Sequence, residues 1–321
     1  MSSADASPLR LAEVFLSFFT HCETLSRIPA AWGNVKQIHL PKGKPPQPDG
    51  SVLAADLRPV SVSSIWWRVA NNAKFRLPEV QQWVMRSVPS FLYGGIPGKG
   101  VEDAIAPLLV KEMAGGVVGT LDLDKAFERT SPDLACKVFR HLDMPQRNAA
   151  LLRYTWNNQN MYLQYQGEVL NHSFSIRNSL PQGDCWAMFA MCLVLLPISN
   201  RIKHCFPATT QALYADDRSF VSPTPFEALQ VRNMWHQHTT KIGLQESAGK
   251  EQFFHRNKPA RRQLVKLGLP AASLQDATGI LGFHFMPAQR LKAVGKEVSR
   301  AEIAKAKARK CQPCLMTPEG M

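Results

Sequence analysis

The chain has 321 residues, and 45% of them are hydrophobic, which is ordinary for a globular protein and excludes wholesale disorder. This length is enough for two or three structural lobes around a sizeable core. Its 38 lysines and arginines outnumber its 25 aspartates and glutamates, which gives a formal net charge of +13. Such an excess favours a polyanionic partner, most commonly nucleic acid, although a basic protein without such a partner also fits.

The lack of a recognisable secretory signal and the pattern of cysteines predict an intracellular protein. Residues 1–10 show no basic flank followed by an apolar segment, so we expect no secretory signal. The longest apolar run, 185–198, is predicted to be a buried helix too short to span a bilayer, and we expect no membrane partner. The seven irregularly spaced cysteines are expected to be reduced. Cys311 and Cys314 could bind zinc, but an uninvolved pair is the more ordinary interpretation.

The first half of the chain alternates predicted helices and strands. An amphipathic helix is predicted over 9–25, a strand over 32–40, and helices over 63–77 and 101–113. An exposed loop is predicted over 43–51. A β-branched run at 117–122 ends in the carboxylate of Asp122. The next helix is predicted to begin at Ser131, which is suited to cap it.

The second half continues the alternation. A hairpin is predicted over 162–166 and 168–176, about Gly167, followed by the apolar helix 185–198. A second hairpin is predicted from 212–214 and 219–221, and Thr224 opens a further helix with a capping box. Later strands are predicted at 253–254 and 280–285. This pattern predicts an α+β fold without an internal repeat.

Acidic residues stand at the ends of two predicted strands. Asp122 ends the first, and Asp216 and Asp217 form the tip of the second hairpin. An Asp-Asp pair in a turn is by itself most often a solvated turn. Carboxylates brought together at strand ends, however, repel each other unless cations neutralise them. Two magnesium ions held there could activate a hydroxyl and stabilise a leaving phosphate.

Several motifs accompany these acids in a fixed order. They are 40–42 (LPK), 57–62 (LRPVSV), 91–94 (FLYG) through 103–105 (DAI), 121–127 (LDLDKAF), 179–184 (SLPQGD), 214–217 (YADD), 243–244 (GL) with Lys250, and 281–282 (LG). Their order and spacing resemble the reverse transcriptases, most of all those of non-LTR (LINE-type) retrotransposons. The last five sets resemble motifs A, B, C, D and E of that family.

The resemblance implies a right-hand polymerase fold, with fingers and palm, an antiparallel palm sheet flanked by helices, and a partial thumb. It divides the chain into an N-terminal helical extension (1–30), fingers (31–115), palm (116–285) and a basic, truncated thumb or tail (286–321). A solvated basic tail is an equal alternative for the last segment.

The resemblance also implies the metal site. Asp122 and Asp216 would hold two magnesium ions, for which manganese could substitute, and Asp217 would contribute charge as a third carboxylate. Leu123 could offer its backbone carbonyl to one metal. Arg218, directly after the aspartates, departs from the pattern and could compete with a cation for them.

The nucleotide site follows in the same way. Phe127 would exclude a ribose 2′-hydroxyl, although a core aromatic is the alternative from the sequence alone. Gln182 and Gly183 would shape the pocket floor. Arg58 with Lys42, Lys44 or both would bind the triphosphate. Lys250 would lie near the pyrophosphate, with a solvated loop lysine as the alternative.

The resemblance implies an RNA-directed DNA polymerase that binds an RNA template, a DNA primer, their hybrid and dNTPs. Two alternatives stay open. One is a palm polymerase that copies RNA into RNA, which Phe127 and the PQG sequence at 181–183 disfavour. The other is a decayed or domesticated copy that binds nucleic acid without catalysis. Asp184, Cys185 and Trp186 stand where the family has Cys-Pro-Leu or Asp-Pro-Leu, and the loss of the proline and gain of a tryptophan could alter the pocket.

Overall fold

The computed structural model describes residues 8–42, 47–49, 51–53, 56–165, 168–176, 178–247 and 249–285. Lys44, Gly167, Cys311, Cys314 and the predicted thumb or tail at 286–321 lie outside these residues.

The described residues form eleven α-helices. They are α1 (Pro8–Leu25), α2 (Ile65–Phe75), α3 (Pro78–Ser87), α4 (Val101–Met113), α5 (Ala126–Arg129), α6 (Pro132–His141), α7 (Gln146–Asn157), α8 (Cys185–Val194), α9 (Leu196–Cys205), α10 (Pro225–Lys241) and α11 (Lys258–Lys266). The predicted N-caps are confirmed in two of them, because Ser131 Oγ accepts from the backbone N–H of Asp133 and Thr224 Oγ1 accepts from that of Glu227. The capping box predicted at Thr224 is only half formed, since Glu227 Oε2 has no hydrogen-bond partner among the described residues.

The strands of the described residues form two four-stranded sheets and two small two-stranded ones. They are β1 (Asn34–Pro41), β2 (Leu57–Val62), β3 (Val117–Leu121), β4 (Leu123–Asp124), β5 (Asn160–Tyr165), β6 (Glu168–Ser175), β7 (Thr210–Tyr214), β8 (Asp217–Ser222), β9 (Gln245–Glu246), β10 (Gln252–Phe254), β11 (Thr278–Ile280) and β12 (Phe283–Phe285). The first sheet has the order β2-β1-β5-β6, with β1 and β5 parallel. Its β5–β6 hairpin comes from the range predicted as palm, but it pairs with a strand of the range predicted as fingers.

The second sheet, β10-β3-β8-β7, is antiparallel throughout, as predicted. Successive strand residues point to opposite faces, and both faces are buried. Phe220 and Phe253 belong to a core that includes residues of α10 and α11. Val221 and Phe254, their neighbours, belong to a second core with α4. The second sheet therefore lies between two layers of helices that cover its faces. A functional site can form at the ends of its strands.

The apolar stretch predicted as one helix forms α8 and α9, with Pro197 in the first turn of α9. Within the described residues, the longer stretch Cys185–Cys205 is long and apolar enough to cross a membrane by length and composition. In this structure, however, 72% of its most apolar part is buried inside the protein. It serves as the central core helix pair beneath the second sheet.

Candidate active site

Three carboxylates meet at one end of the second sheet. Asp122 directly follows β3, and Asp217 begins β8 after a tight turn in which Ala215 has a φ of 55°. Leu121 pairs with Arg218 in this antiparallel sheet, so the register places Asp122 beside Asp217. Asp216 lies in the turn itself. The pairing of β3 with β8 thus brings together the acidic residues that the sequence places at two separate strand ends.

The three acids influence each other electrostatically. Burial and the nearby Asp122 raise the pKa of Asp216, while its own backbone N–H and Arg218 oppose the shift. Asp217 is exposed to solvent. The surrounding protein and the carboxylates of Asp216 and Asp122 nevertheless raise its pKa to about 6. The site concentrates negative charge that a cation would stabilise.

One protein cation already lies among these acids. Lys250 Nζ is 2.6 Å from Asp122 Oδ2, and this hydrogen bond raises the pKa of Lys250. Gln252 pairs with Thr120, so the register of β10 on β3 brings Lys250 opposite Asp122. The backbone N–H of Ser247 also donates to the carbonyl of Asp122. Lys250 is 66% exposed, so its side chain has room to move away from Asp122.

The predicted site residues of the described chain line a single cleft of about 750 Å³. They are Lys42, Arg58, Asp122, Phe127, Gln182, Gly183, Asp216, Asp217 and Lys250. The cleft also contains residues that the sequence did not single out, among them Asn72 and Phe75 of α2 and Met188 of α8. No motif or spacing marks these three, because they enter the cleft only through helix packing.

A family comparison agrees with this arrangement. The profile of the reverse transcriptase (RNA-dependent DNA polymerase) family matches residues 41–285. The chain belongs to the reverse transcriptase family. No curated protein matches the sequence.

Solved structures support the fold of this family member. One match is the apo telomerase of Candida tropicalis truncated from its C-terminal domain, with a TM-score of 0.56 and 8% sequence identity. The match covers 79% of this chain and 53% of the telomerase chain, so this chain spans about half the length of that protein. Together with the family match, the likeness confirms the predicted α+β fold of the right-hand polymerase type.

Backbone hydrogen bonds join the motifs of this reverse transcriptase fold around the cleft. The N–H of Leu180 donates to the carbonyl of Phe127, and the N–H of Ser61 donates to the carbonyl of Gln182, both at 2.8 Å. Gly183 has a φ of 118°, and a Cβ there would lie 2.7 Å from the Ser61 carbonyl oxygen. Glycine is therefore required where β2 meets the loop before α8.

Asp184 is a buried residue whose role the sequence did not reveal. It caps α8 through the N–H of Trp186, and its Oδ2 accepts from Trp67 Nε1 at 3.1 Å and Asn71 Nδ2 at 3.0 Å. Burial raises the pKa of Asp184, and these donors oppose the shift. The carboxyl group thus ties α2, which contributes Asn72 to the cleft, to the start of α8.

Two residues that depart from the family pattern, Arg218 and Trp186, do not line the cleft, whereas Cys185, which stands in place of the family's proline, does. Arg218 points to the α10 face of the sheet and forms two hydrogen bonds with Glu246, at 2.9 and 2.6 Å. Arg218 therefore does not bind the aspartates directly, as the sequence suggested it could, because successive residues of β8 face opposite ways, although its charge partly offsets the raised pKa values of Asp216 and Asp217. Trp186 is 3% exposed, packs edge-on to Phe75, and does not line the cleft.

The segment before the palm supports the aspartate turn. The N–H of Tyr93 donates to the carbonyl of Leu213 at 2.9 Å, which holds this segment along β7. A Cβ on Gly94 would lie 2.2 Å from the backbone nitrogen of Ala215, far inside van der Waals contact. The buried thiol of Cys192 donates to the Gly94 carbonyl from below, at 3.2 Å. The absence of a side chain at Gly94 allows the turn to occupy its position.

We expect Gly94→Ala to displace the aspartate turn and to lower any polymerase activity by about 100-fold, the usual effect of a misplacement near 1 Å. Primer extension by the purified variant would measure this. Gly100→Ala is the control, because Gly100 has a φ of −105° and a Cβ there first meets the end of the flexible Glu102 side chain, at 3.0 Å. Equal activity of the Gly94 variant and the unchanged chain would contradict the supporting role of this segment.

We expect Asp217→Asn to stabilise the metal-free fold at neutral pH. The folded-state pKa of Asp217 is raised, so its ionisation destabilises the fold as pH rises from about 4 through 6. Because the side chain reaches solvent, screening limits the gain to about 1 kcal/mol. Urea unfolding with a chelator at pH 7.5 and pH 3.5 would test this. A gain at pH 3.5 that equals the gain at pH 7.5 would contradict it.

Proposed function

We propose that this chain is an RNA-directed DNA polymerase that adds dNTPs to a primer 3′-hydroxyl. The observation that carries the proposal is the convergence of residues from six separate motifs on one cleft, with three carboxylates at its base. The spacing of those motifs supports an origin in a non-LTR retrotransposon. The partners would be an RNA template, a DNA primer, their hybrid and dNTPs.

The donor set fits magnesium. In the described residues, no three His, Cys, Asp or Glu side chains are already arranged to hold one ion. Magnesium does not need such a cage, because it usually takes one or two carboxylates and completes its shell with water and substrate phosphates. The position of Lys250 Nζ on Asp122 shows that the cleft accommodates a cation there. Asp122 and Asp216, with Asp217 beside them, would hold two magnesium ions, or manganese in their place.

When bound, the ions would supply activation of the primer hydroxyl and stabilisation of the leaving pyrophosphate. The chain's own groups would position the nucleotide. Arg58 and Lys42 are exposed on the β2–β1 side of the cleft, where cations can bind the triphosphate. Lys250 would leave Asp122 and face the released pyrophosphate.

Phe127 would select deoxynucleotides. Its ring is half-buried against the core and also lines the cleft. Phe127 can therefore be a core aromatic residue and also contact the sugar of a bound nucleotide. Its carbonyl bond to Leu180 fixes the backbone that carries the ring. A ribose 2′-hydroxyl would meet this ring, whereas a deoxyribose would not.

The selection test uses oligo(dT) on poly(rA), with magnesium and either dTTP or UTP. We expect the unchanged chain to incorporate dTTP, and Phe127→Val to raise UTP use relative to dTTP on the order of 10- to 100-fold. UTP incorporation by the unchanged chain would instead support an RNA-copying polymerase. Failure to extend with either nucleotide, together with tight hybrid binding, would support a non-catalytic nucleic-acid-binding protein.

A further inference from the structure

Helix α11 lies in a strongly basic segment between two strands of the palm region. Residues 255–275 contain five lysines and arginines and no aspartate or glutamate. Two of these cations are neutralised by acids from elsewhere. Arg256 forms a double hydrogen bond with the buried Glu112, at 2.5 and 2.6 Å, and Arg261 pairs with Asp276.

Three cations of α11 remain without an acidic partner. Lys258, Arg262 and Lys266 are exposed, and none forms an ion pair with any residue that the structure describes. They follow each other at intervals of four along the helix, so each is about 6 Å further along the axis than the last. This stripe has a spacing comparable to that of neighbouring phosphates in an extended nucleic-acid strand.

The stripe borders a shallow, open groove. The groove has a volume of about 700 Å³, runs between α11 and the loop that leads to β11, and is also lined by the Arg261–Asp276 ion pair. Val265 and Leu274 provide apolar contact surface in it, and Gln275 adds an amide that can donate and accept hydrogen bonds. Val265 is 40% exposed, so its side chain can contact a base or a ribose.

The groove is separate from the active-site cleft. It shares no lining residue with the cleft. Its helix is anchored on the α10 side of the second sheet through the buried Leu264, whereas Asp217 points to the opposite face. A ligand in the groove would therefore not occupy the positions of primer or nucleotide.

We propose that this groove binds a single RNA strand through its phosphodiester backbone, as a second nucleic-acid site outside the active-site cleft. The stripe complements phosphate charge, and the apolar and amide groups suit the bases without selecting a sequence. An anionic membrane fits less well, because the cations border a concave groove and not the polar rim of an exposed apolar helix face. The proposal does not depend on catalysis, so it stands or falls separately from polymerase activity.

The test measures the binding of a fluorescent 20-nucleotide oligo(rU) to the full chain by anisotropy, at several salt concentrations. The variant is Lys258→Gln with Arg262→Gln and Lys266→Gln. The control removes three exposed cations elsewhere, Lys111→Gln with Lys137→Gln and Arg201→Gln, so the net charge changes equally. Thermal unfolding confirms that both variants fold.

We expect the α11 variant to bind about tenfold or more weakly near 100 mM salt and to lose about 2 from the slope of log affinity against log salt, since each phosphate contact of a single strand contributes about 0.7. The control should keep the slope of the unchanged chain. An unchanged slope in the α11 variant, or an equal loss in the control, would overturn the proposal. So would loss of binding to phosphatidylserine vesicles with RNA binding unchanged.

Discussion

Replacing Glu246 by alanine is expected to lower the free energy of unfolding by about 3–5 kcal/mol, because it leaves the buried Arg218 charge without its partner. Arg218 is 1% exposed, and its guanidinium lies 5.2 Å from the centre of the Trp235 ring. Glu246 also accepts a hydrogen bond from Thr239 of α10 at 2.8 Å. Urea unfolding followed by circular dichroism would measure the loss.

Two controls separate the buried charge from a general effect of removing an ion pair. Asp133→Ala removes an exposed pair with Arg153 and a hydrogen bond from Asn157, and should cost only about 1–2 kcal/mol. Arg218→Met combined with Glu246→Met should recover much of the lost stability, because apolar side chains replace both charges. A cost for Glu246→Ala no larger than that for Asp133→Ala would contradict the buried-pair account.

Replacing Asp216 by asparagine is expected to lower primer extension by about 100- to 10,000-fold, the range expected when several kcal/mol of transition-state stabilisation are lost. The amide keeps the size of the side chain but removes the charge that would hold a metal ion. Burial raises the pKa of Asp216, so ionisation of this side chain lowers the stability of the folded state. The variant should therefore be at least as stable as the unchanged chain.

Asp124→Asn is the matched control for this loss. Asp124 lines the same cleft, but its carboxylate is bound to Arg129 at 3.0 Å. We expect this variant to lose no more than about tenfold in extension. Equal losses in the Asp124 and Asp216 variants would contradict the assignment of Asp216 to the metal site.

Much of the local structure could be predicted because its causes are local. Ser131 and Thr224 cap helices within three residues of themselves, and short apolar runs mark the strand before Asp122 and the strand after Asp217. The sequence suggested that Arg218 could reach the aspartates because it directly follows Asp217. Successive residues of a strand point to opposite faces of the sheet, so Arg218 points away from Asp217.

The remaining features depend on packing between distant segments. Asp184 accepts hydrogen bonds from residues 117 and 113 positions away, and no local pattern records those partners. Gly94 is needed because a separate turn, at Ala215, occupies the space of a side chain. The α11 groove was not predicted either, since its charge stands out only when the structure shows which cations Glu112 and Asp276 neutralise.

The most direct test of the central claim is whether an RNA template directs DNA synthesis by this chain. Oligo(dT) on poly(rA) is supplied with dTTP or dGTP, and oligo(dG) on poly(rC) is supplied with the same two nucleotides. The account predicts that dTTP extends only the first primer and dGTP only the second, that magnesium is required, and that Asp216→Asn lowers extension by about 100-fold or more. Extension that ignores the template, or that is undiminished in the Asp216→Asn variant, would contradict it.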